Sequence, residues 1–526
     1  MGIYLNPGSS QFQKSINSKI YVDKTGLIQY TNEIINTANR FICISRPRRF
    51  GKSMAAEMLA AYYGKGDSKA LFQGLKISGH DSFEAHRNQY NVIFLNMQDF
   101  LSATCGITDM KALIEKSILW DLLEEYPDVR YFDNSSLTRS LQDIYTQTKK
   151  SFVFIIDEWD CVFRENKEHK EFQKLYLDFL RHLLKDKPYV ALAYMTGILP
   201  IKKYGTHSAL NMFDEYSMTS PRQLAEYAGF TEDEVKTLCH QHHMAFSETQ
   251  KWYDGYRLTG TDKKQYHIYS PRSVISAMLS GIYDTYWNQT ETFEALRDYI
   301  ILNFDGLKDT VIALLAGEHI SIETRSFTND MTTFESADDV LTLLVHLGYL
   351  GYDFVQKKIF IPNYEVTLEF VNAIRSAKWD EVIRAVKSSS QLLEATWNTD
   401  EAAVAAGIEK AHLETSILNY NDENALSYTV SLAYYSARQY YTLIREFPAG
   451  KGFADIVFLP RQSAPHKPAM IIELKWDISA QGAIRQIKSR EYPVSLTEYH
   501  GNLLLVGINY DKKSKIHECK IELLPK

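Results

Sequence analysis

A short apolar run that leads into a basic turn constrains the fold of this chain more than any other segment. Phe41–Ile44 is apolar, Arg46–Phe50 is basic, and Gly51–Ser53 opens the helix-forming run Met54–Ala60. A strand, a loop and a helix start in this order are typical of a phosphate-binding turn. The glycine lets backbone N–H groups approach a polyphosphate, the lysine reaches its outer oxygens and the serine holds Mg²⁺. The segment therefore predicts a nucleotide loop, with a plain basic turn as the alternative.

The loop departs from the usual pattern at one position, because Arg46 stands where that pattern begins with glycine. Together with Arg48 and Arg49 it brings positive charge to the turn. These arginines could neutralise phosphate in the same subunit, or reach the site of a neighbouring subunit as arginine fingers. A solvated basic loop is the alternative interpretation.

A second apolar run supplies the other half of such a site. Phe152–Ile156 predicts a buried parallel strand, and Asp157 and Glu158 follow at its carboxyl end, where open α/β sheets bind ligands. We expect Asp157 to hold Mg²⁺ together with Ser53, and Glu158 to orient or deprotonate the attacking water. A buried strand that ends in a solvated acidic pair is the alternative, and the upstream loop makes it less favoured.

Strands alternate with helices from about residue 40 to about residue 200, which predicts a three-layer α/β domain. Its strand Val190–Thr196 ends in a hydroxyl that could sense the γ-phosphate, although a β-turn at Thr196 would look the same.

The following region is mostly helical. Within it, the apolar helix Val340–Leu347 precedes a hairpin that carries Lys357 and Lys358, a pattern typical of a winged helix. With so few basic residues, interdomain packing is favoured over DNA binding.

Composition limits the classes of protein that this chain can be. With 526 residues it is too long for one core, and we expect roughly two to four domains. The net charge of −7 argues against a globally basic nucleic-acid binder. Five scattered cysteines favour reduced thiols and a cytoplasmic location. Neither a signal segment nor an apolar stretch of about 18 residues is found, so no membrane partner is expected.

Several segments together resemble the bacterial AAA-ATPase-like family. They are Tyr21–Thr25, Arg46–Ser53, Asp157–Glu158, Thr196–Asn211 and Trp252–Arg257. The resemblance implies ATP as the bound nucleotide. It also implies that the arginine at the start of the loop is a trait of the family, in which this form of the loop is the norm.

The last part of the chain carries a second set of polar residues. Asp455 leads an apolar strand, and the run Met470–Lys475 alternates so that Glu473 and Lys475 share one face. Two carboxylates from adjacent strands can clamp Mg²⁺, which acidifies a bound water, and a neighbouring lysine can orient that water for phosphodiester attack. A half-exposed strand with a surface ion pair is the alternative.

This set resembles the core of the PD-(D/E)XK nuclease superfamily, with Asp455, Glu473 and Lys475 in its catalytic positions. Glu423 is placed like the helical acidic residue of that superfamily, where it would join the metal ligands. Gln486 is placed like the glutamine of the helix that follows the core. The resemblance implies a restriction-endonuclease-like α/β fold.

The sequence as a whole predicts an ATPase joined to a Mg²⁺-dependent nuclease whose cutting of DNA depends on the ATP state. The expected domains are an ATPase at 1–228, a helical and winged-helix-like middle at 229–385 and a nuclease at 386–526. DNA is the expected partner, and the loop arginines hint at a homo-oligomer. The alternative is a nucleotide-regulated module that binds nucleic acid or protein through a catalytically inactive nuclease fold.

Overall fold

The computed structural model describes residues 2–201, 203–204, 207–208, 210–261, 263–287, 307–315, 317–328, 334–376, 380–414, 426, 430, 433–461, 464–499, 501–514 and 516–525. The chain forms two compact units. One combines Met1–Tyr299 with Ser321–Glu369, and the other combines Ile300–Ile320 with Phe370–Lys526. The division into three domains stays a prediction. Within the described ranges, no helix is both long enough and apolar enough to cross a membrane.

The strands of the described segments, in chain order, are β1 (Phe41–Ser45), β2 (Asn91–Asn96), β3 (Phe152–Asp157), β4 (Val190–Gly197), β5 (Lys203–Tyr204), β6 (His207–Ser208), β7 (Asp214–Tyr216), β8 (Phe230–Thr231), β9 (Tyr256–Thr259), β10 (Gln265–Tyr269), β11 (Ile320–Ser321), β12 (Gly351–Asp353), β13 (Lys358–Phe360), β14 (Tyr441–Ala449), β15 (Gly452–Pro460), β16 (Ala469–Trp476), β17 (Leu503–Asp511) and β18 (Ile516–Leu524).

The α-helices of the same segments are α1 (Ser10–Ile16), α2 (Gly26–Ile34), α3 (Lys52–Tyr63), α4 (Lys69–Phe72), α5 (Phe83–His86), α6 (Met97–Ser102), α7 (Ile107–Glu125), α8 (Leu137–Thr148), α9 (Cys161–Glu165), α10 (Lys170–Leu184), α11 (Glu232–Gln241), α12 (Phe246–Tyr253), α13 (Pro271–Ser280), α14 (Leu307–Leu315), α15 (Ala337–Leu347), α16 (Tyr364–Ser376), α17 (Asp380–Trp397), α18 (Glu401–Glu414) and α19 (Ala480–Ser489).

A parallel sheet in the order β2-β3-β4-β1-β7 organises the first unit. The strands β1, β3 and β4 are buried at every position, as expected when helices cover both faces of a sheet. Side chains of β1, β3 and α3 share one apolar core. This arrangement confirms the predicted three-layer α/β domain and brings the carboxyl ends of β1, β3 and β4 to one edge.

The start of the chain is tied to the helical region that follows the sheet. Thr231 caps α11 through a capping box in which Glu234 accepts a hydrogen bond from the Thr231 backbone N–H at 2.8 Å. Lys24, from one of the segments quoted for the family resemblance, donates to the same carboxylate at 2.6 Å and to the Glu226 carbonyl at 2.7 Å. The Lys24 ammonium therefore joins the two parts of this unit.

The predicted helix and hairpin pack against the basic turn and against β9 rather than standing apart. The helix α15 is buried from Val340 to Leu347, and β12 pairs antiparallel with β13. Gly348, which ends α15 with a φ of +88°, lies against Pro47 of the basic turn. The Tyr256 hydroxyl donates to the Gly348 carbonyl at 2.6 Å. These contacts agree with the packing role that was favoured for this module.

A mixed sheet in the order β14-β15-β16-β17-β18 organises the second unit, with β16 and β17 parallel and the other neighbours antiparallel. One face packs on α17 and α18, and the other face packs on α19. As the alternation in β16 predicts, Ile472 and Leu474 point into the first of these cores. The sheet confirms the predicted α/β class of this part of the chain.

Candidate nucleotide site and metal centre

The basic turn between β1 and α3 places a left-handed glycine directly before the helix. Gly51 has a φ of +83° and caps α3, a left-handed conformation that glycine adopts without strain. Lys52 is 5% exposed, and its Nζ donates to the Pro47 carbonyl at 2.9 Å, across the turn. Ser53 is exposed at the start of the helix. The turn thus presents the N-terminus of α3, a lysine and a hydroxyl at the edge of the sheet.

The predicted acidic residues lie beside this turn. Asp157 ends β3 and is 2% exposed. Its Oδ1 accepts hydrogen bonds from the Thr196 hydroxyl on neighbouring β4 and from the Glu158 backbone N–H, the latter at 3.0 Å. The structure therefore brings Asp157, Glu158 and Thr196 to the same edge as Lys52.

Glu158 is held by two residues to which the sequence analysis gave no role. Its carboxylate pairs with Arg164, whose Nε lies 3.3 Å from Asp160 Oδ2. Asp160 is fully buried and accepts hydrogen bonds from the backbone N–H groups of Ile198 and Leu199, at 3.0 and 2.8 Å. The sequence shows a third acid, Asp160, shortly after the strand-end acidic pair, but its burial and its partners become evident only in the fold.

The electrostatics of this edge follow from burial and close opposite charges. Burial lowers the pKa of Lys52, while the carboxylates of Glu158, Asp157 and Asp160 oppose that shift. Burial raises the pKa of Glu158, opposed by Arg164 and Lys52. The edge is therefore a cluster of mutually compensating charges in a poorly solvated place, where electrostatic interactions are strengthened.

Two further charged residues near the turn were not singled out from the sequence. Glu57 follows Ser53 by one helical turn, and its pKa is raised by burial and then by the charge of Asp157. Burial lowers the pKa of Arg49, which the charges of Arg272 and Arg48 lower further. Arg272, at the start of α13, thus lies near Arg49, and the positive charges around Arg49 favour an anion.

Arg46 occupies a different environment from the other loop arginines. It is fully buried, and its Nη1 donates to the carbonyls of Ser45 and Tyr216 at 2.9 and 2.7 Å, while its Nη2 donates to the Leu224 carbonyl at 3.3 Å. Burial lowers its pKa to about 10. The expectation that Arg46 contacts phosphate disagrees with this position, because its guanidinium is enclosed by backbone carbonyls.

An apolar pocket adjoins the turn. Its walls are formed by the turn and α3, by the start of the chain, and by α13 with the residues near β8. They include Tyr21, Val22, Gly51, Met54, Phe230 and Pro271. A flat apolar group would have its edges covered here while an attached polar chain reached the turn.

In the second unit, Asp455 and Glu473 come together where two strands separate. The ladder of β15 and β16 pairs Ile456 with Ile472 at its end. One residue further, the Asp455 Oδ2 accepts the Leu474 backbone N–H at 2.7 Å. A carboxylate thus takes the place of the strand carbonyl, and it is held beside the carboxylate of Glu473.

Glu473 is a deeply buried carboxylate within this cluster. It is 1% exposed, and its Oε1 accepts hydrogen bonds from Lys475 Nζ at 3.1 Å and from Gln486 Nε2. Its Oε2 is buried and accepts no hydrogen bond within the described part of the chain. Burial and the charge of Asp455 raise the pKa of Glu473 to about 7.

These residues fit a hard divalent cation. A buried carboxylate oxygen without a donor, beside a second carboxylate, is an unfavourable arrangement that a bound cation would relieve. Lys475 also donates to the Leu474 carbonyl at 2.8 Å, so its ammonium stays at the site. Gln486, from α19, donates to Glu473. Glu423, the other expected metal ligand, lies outside the described residues.

Comparisons with known proteins match a family to each of two parts of the chain. Residues 7–206 match the AAA-ATPase-like family, described as "Predicted AAA-ATPase", and residues 422–520 match the PD-(D/E)XK nuclease superfamily. An uncharacterized protein in the vnfD 5′ region of Azotobacter chroococcum mcd 1 is 23% identical over 401 residues, which cover 71% of this chain and 69% of that protein. Both family matches confirm the resemblances drawn from the motifs.

Solved structures give more distant similarities. The Aeropyrum pernix ORC2 protein, solved as ADPNP–ADP complexes, is 11% identical with a TM-score of 0.29, over 68% of this chain and 97% of that chain. Cdc6p from Pyrobaculum aerophilum is 10% identical with a TM-score of 0.24, over 71% of this chain and 98% of that chain.

Proposed function

Since the chain joins an AAA-ATPase-like domain to a PD-(D/E)XK nuclease superfamily domain, we propose that it hydrolyses ATP and cuts DNA with Mg²⁺, and that the nucleotide state regulates the cutting. The observation that carries the nuclease half is the buried Oε2 of Glu473, which accepts no hydrogen bond in the described part of the chain and faces a second carboxylate. A fold kept only for packing gains nothing from such a group.

In the nucleotide half, the backbone N–H groups after Gly51 and the Lys52 ammonium bind the phosphates. Lys52 exchanges the Pro47 carbonyl for phosphate oxygens, and Ser53 with Asp157 holds Mg²⁺. The nucleobase lies against the apolar pocket beside the turn.

For hydrolysis, Glu158 accepts a proton from water as the water oxygen forms a bond to the γ-phosphorus. The bond from that phosphorus to the bridging oxygen breaks, and ADP and phosphate leave. Arg48, Arg49 and Arg272 offset the charge on the phosphates, and Thr196 keeps Asp157 in place.

In the nuclease half, Asp455 and Glu473 hold the metal, and Gln486 fixes the orientation of Glu473. Mg²⁺ bound there supplies an acidified water ligand. Lys475 orients the attacking water and stabilises the charge that develops on the phosphate, since its ammonium lies 3.1 Å from Glu473 Oε1.

DNA cleavage tests the nuclease half directly. Plasmid and linear DNA are incubated with the protein and Mg²⁺, with and without ATP, beside Lys475→Ala. Lys488→Ala is the matched control, because Lys488 belongs to the same unit but forms an exposed ion pair with Glu522. We expect wild type and Lys488→Ala to cut, Lys475→Ala to be inactive and ATP to change the rate. Intact DNA in every sample would leave the nucleotide-regulated binding module as the better description.

Nucleotide binding tests the other half. We expect Lys52→Ala to lose ATP affinity by at least tenfold, because a buried ammonium that reaches phosphate is replaced by a methyl group. Lys69→Ala, at an exposed lysine of the same unit, is the control. Unchanged affinity in Lys52→Ala would contradict the assignment of the phosphate loop.

A further inference from the structure

Arg164 forms the closest charged contact to the residue that would activate water. Its Nη2 pairs with Glu158 Oε2, while its Nε lies 3.3 Å from Asp160 Oδ2. The Arg164 side chain is 8% exposed and that of Glu158 is 25% exposed, so the pair is enclosed on the arginine side and open on the glutamate side. One oxygen of Glu158 is therefore occupied by Arg164, while part of the glutamate side chain remains accessible.

Asp160 fixes the other end of this arrangement to the sheet edge. Its Oδ2 accepts the backbone N–H groups of Ile198 and Leu199, which directly follow β4. The Trp159 N–H donates to the Thr196 carbonyl at 3.0 Å, so a backbone hydrogen bond joins the same two segments. Arg164 is thus placed relative to the end of β4 and not merely to its own helix, α9.

Stability alone does not account for this pair. Removing two charges from water costs about as much as their attraction returns, so a buried ion pair adds little stability compared with apolar side chains. Glu158 also has a φ of +53°, a left-handed conformation that is strained in a residue with a side chain. Both features have a benefit if the direction of the Glu158 carboxylate matters.

We propose that Arg164, seated by Asp160, is a positioning residue that holds the Glu158 carboxylate in the orientation in which it accepts a proton from the attacking water. The inference rests on the proposed ATP hydrolysis and assigns Arg164 no contact with nucleotide. The water gives its proton to Glu158 as its oxygen bonds to the γ-phosphorus, and the bridging oxygen leaves with ADP. Arg164 keeps its own protons throughout.

The test compares turnover with affinity in Arg164→Gln, Arg164→Lys and Glu158→Gln. We expect Arg164→Gln to lower kcat about 10- to 100-fold, because general-base catalysis contributes at least that much, while the ATP dissociation constant changes less than threefold. Arg164→Lys, which keeps the charge, should recover part of the loss. It also keeps the test valid if Arg164→Gln fails to fold. Arg139→Gln, at a half-exposed arginine paired with Asp143, is the control.

A double variant separates positioning from a general structural role. If Arg164 acts through Glu158, Arg164→Gln should lower kcat no further in the Glu158→Gln background. An equal loss in both backgrounds, an unchanged or increased kcat, or a loss of ATP affinity alone would overturn the inference. Absence of turnover in wild type contradicts both the proposed hydrolysis and this role, whereas wild-type turnover that survives Arg164→Gln contradicts this role only.

Discussion

Arg46 shows how one buried side chain can change the meaning of a loop motif. Glycine at this position would let the backbone approach a phosphate, but here a fully buried guanidinium donates to the carbonyls of Ser45, Tyr216 and Leu224. The sequence shows an extra positive charge beside Arg48 and Arg49, and charge alone does not reveal which of the three is enclosed. Arg46 therefore stabilises the backbone around the turn through these hydrogen bonds.

Arg46→Lys should therefore destabilise the protein more than it weakens ATP binding. A lysine carries a compact ammonium that does not match three carbonyls, and we expect a loss of about 2–4 kcal/mol in the free energy of unfolding. Denaturant unfolding measures it, with Arg139→Lys as the exposed control. Unchanged stability together with a large loss of ATP affinity would instead restore the phosphate contact that the sequence suggested.

Glu473 should make the stability of the protein depend on pH. Without metal its pKa of about 7 lies above the usual 4.5, so the folded protein binds the proton more tightly than the unfolded chain. The contribution of Glu473 to stability should then be greatest at low pH and fall as pH rises from about 5 to about 7, by on the order of 3 kcal/mol. Glu473→Gln should abolish this decline, since an amide does not ionise.

Unfolding in EDTA at several pH values measures the effect, and added Mg²⁺ should reduce the decline in wild type because the metal favours the ionised carboxylate. Glu522→Gln, at a partly exposed carboxylate paired with Lys488, is the control. A decline that persists in Glu473→Gln would show that another group is responsible.

At the scale of elements, the C-terminal end of α15 contacts the basic turn. A Cβ built at Gly348 would lie 2.8 Å from Pro47 side-chain atoms, so the helix ends in direct contact with the turn. The basic turn is therefore held by three sets of contacts: the hydrogen bonds of Arg46 to backbone carbonyls, the start of α3, and the helix–hairpin module. The apolar pattern of the sequence predicts α15, but it does not show which surface the helix packs against.

Gly348→Ala should weaken both stability and ATP binding. Gly281 supplies a matched control, because it also ends a helix with a positive φ, of +69°, but has no atom within 4 Å of an added Cβ. Each alanine should cost about 1–2 kcal/mol for the left-handed backbone. Only Gly348→Ala should also displace Pro47 and reduce ATP affinity, as measured by calorimetry. Equal effects of the two variants on ATP affinity would rule out the contact as a support of the turn.

Sequence patterns predicted the sheets and the acidic residues at their edges for definite reasons. Continuous apolar runs identify buried parallel strands, and residues at the ends of such strands meet, which is why Asp157 could be placed beside the basic turn in advance. The partners Asp160, Arg164 and Arg272 were missed because their roles depend on side chains distant in sequence. The strand alternation placed Glu473 beside Lys475, but it could not show that one Glu473 oxygen is buried without a donor.

At the scale of the whole molecule, each of the two units combines two separate stretches of the chain. The chain passes from the first unit to the second at about residue 300, returns at Ser321 and leaves again after Glu369. The three predicted domains follow one another along the chain and stay a prediction. Local patterns do not show that α14 packs on α17 in the second unit. Such an assignment needs contacts between segments far apart in the sequence.

Ligands should stabilise the two units separately. If the units unfold in distinct thermal transitions, ATP in EDTA should raise only one, and Mg²⁺ without nucleotide should raise only the other. Saturation at about a hundred times the dissociation constant corresponds to about 2.7 kcal/mol. Lys52→Ala should remove the first shift and Glu473→Gln the second. A single transition raised by either ligand would show that the units unfold together.

The interleaving also sets the order in which the parts become complete during synthesis. The returning segment Ser321–Glu369 leaves the ribosome before Phe370–Lys526, so the nucleotide-site unit has all its segments before the sheet that carries Asp455 and Glu473 exists. A chain whose translation stops before the second sheet therefore contains the basic turn but lacks Asp455 and Glu473. Under the proposed function, no unfinished product of translation could cut DNA in the absence of the part that regulates it.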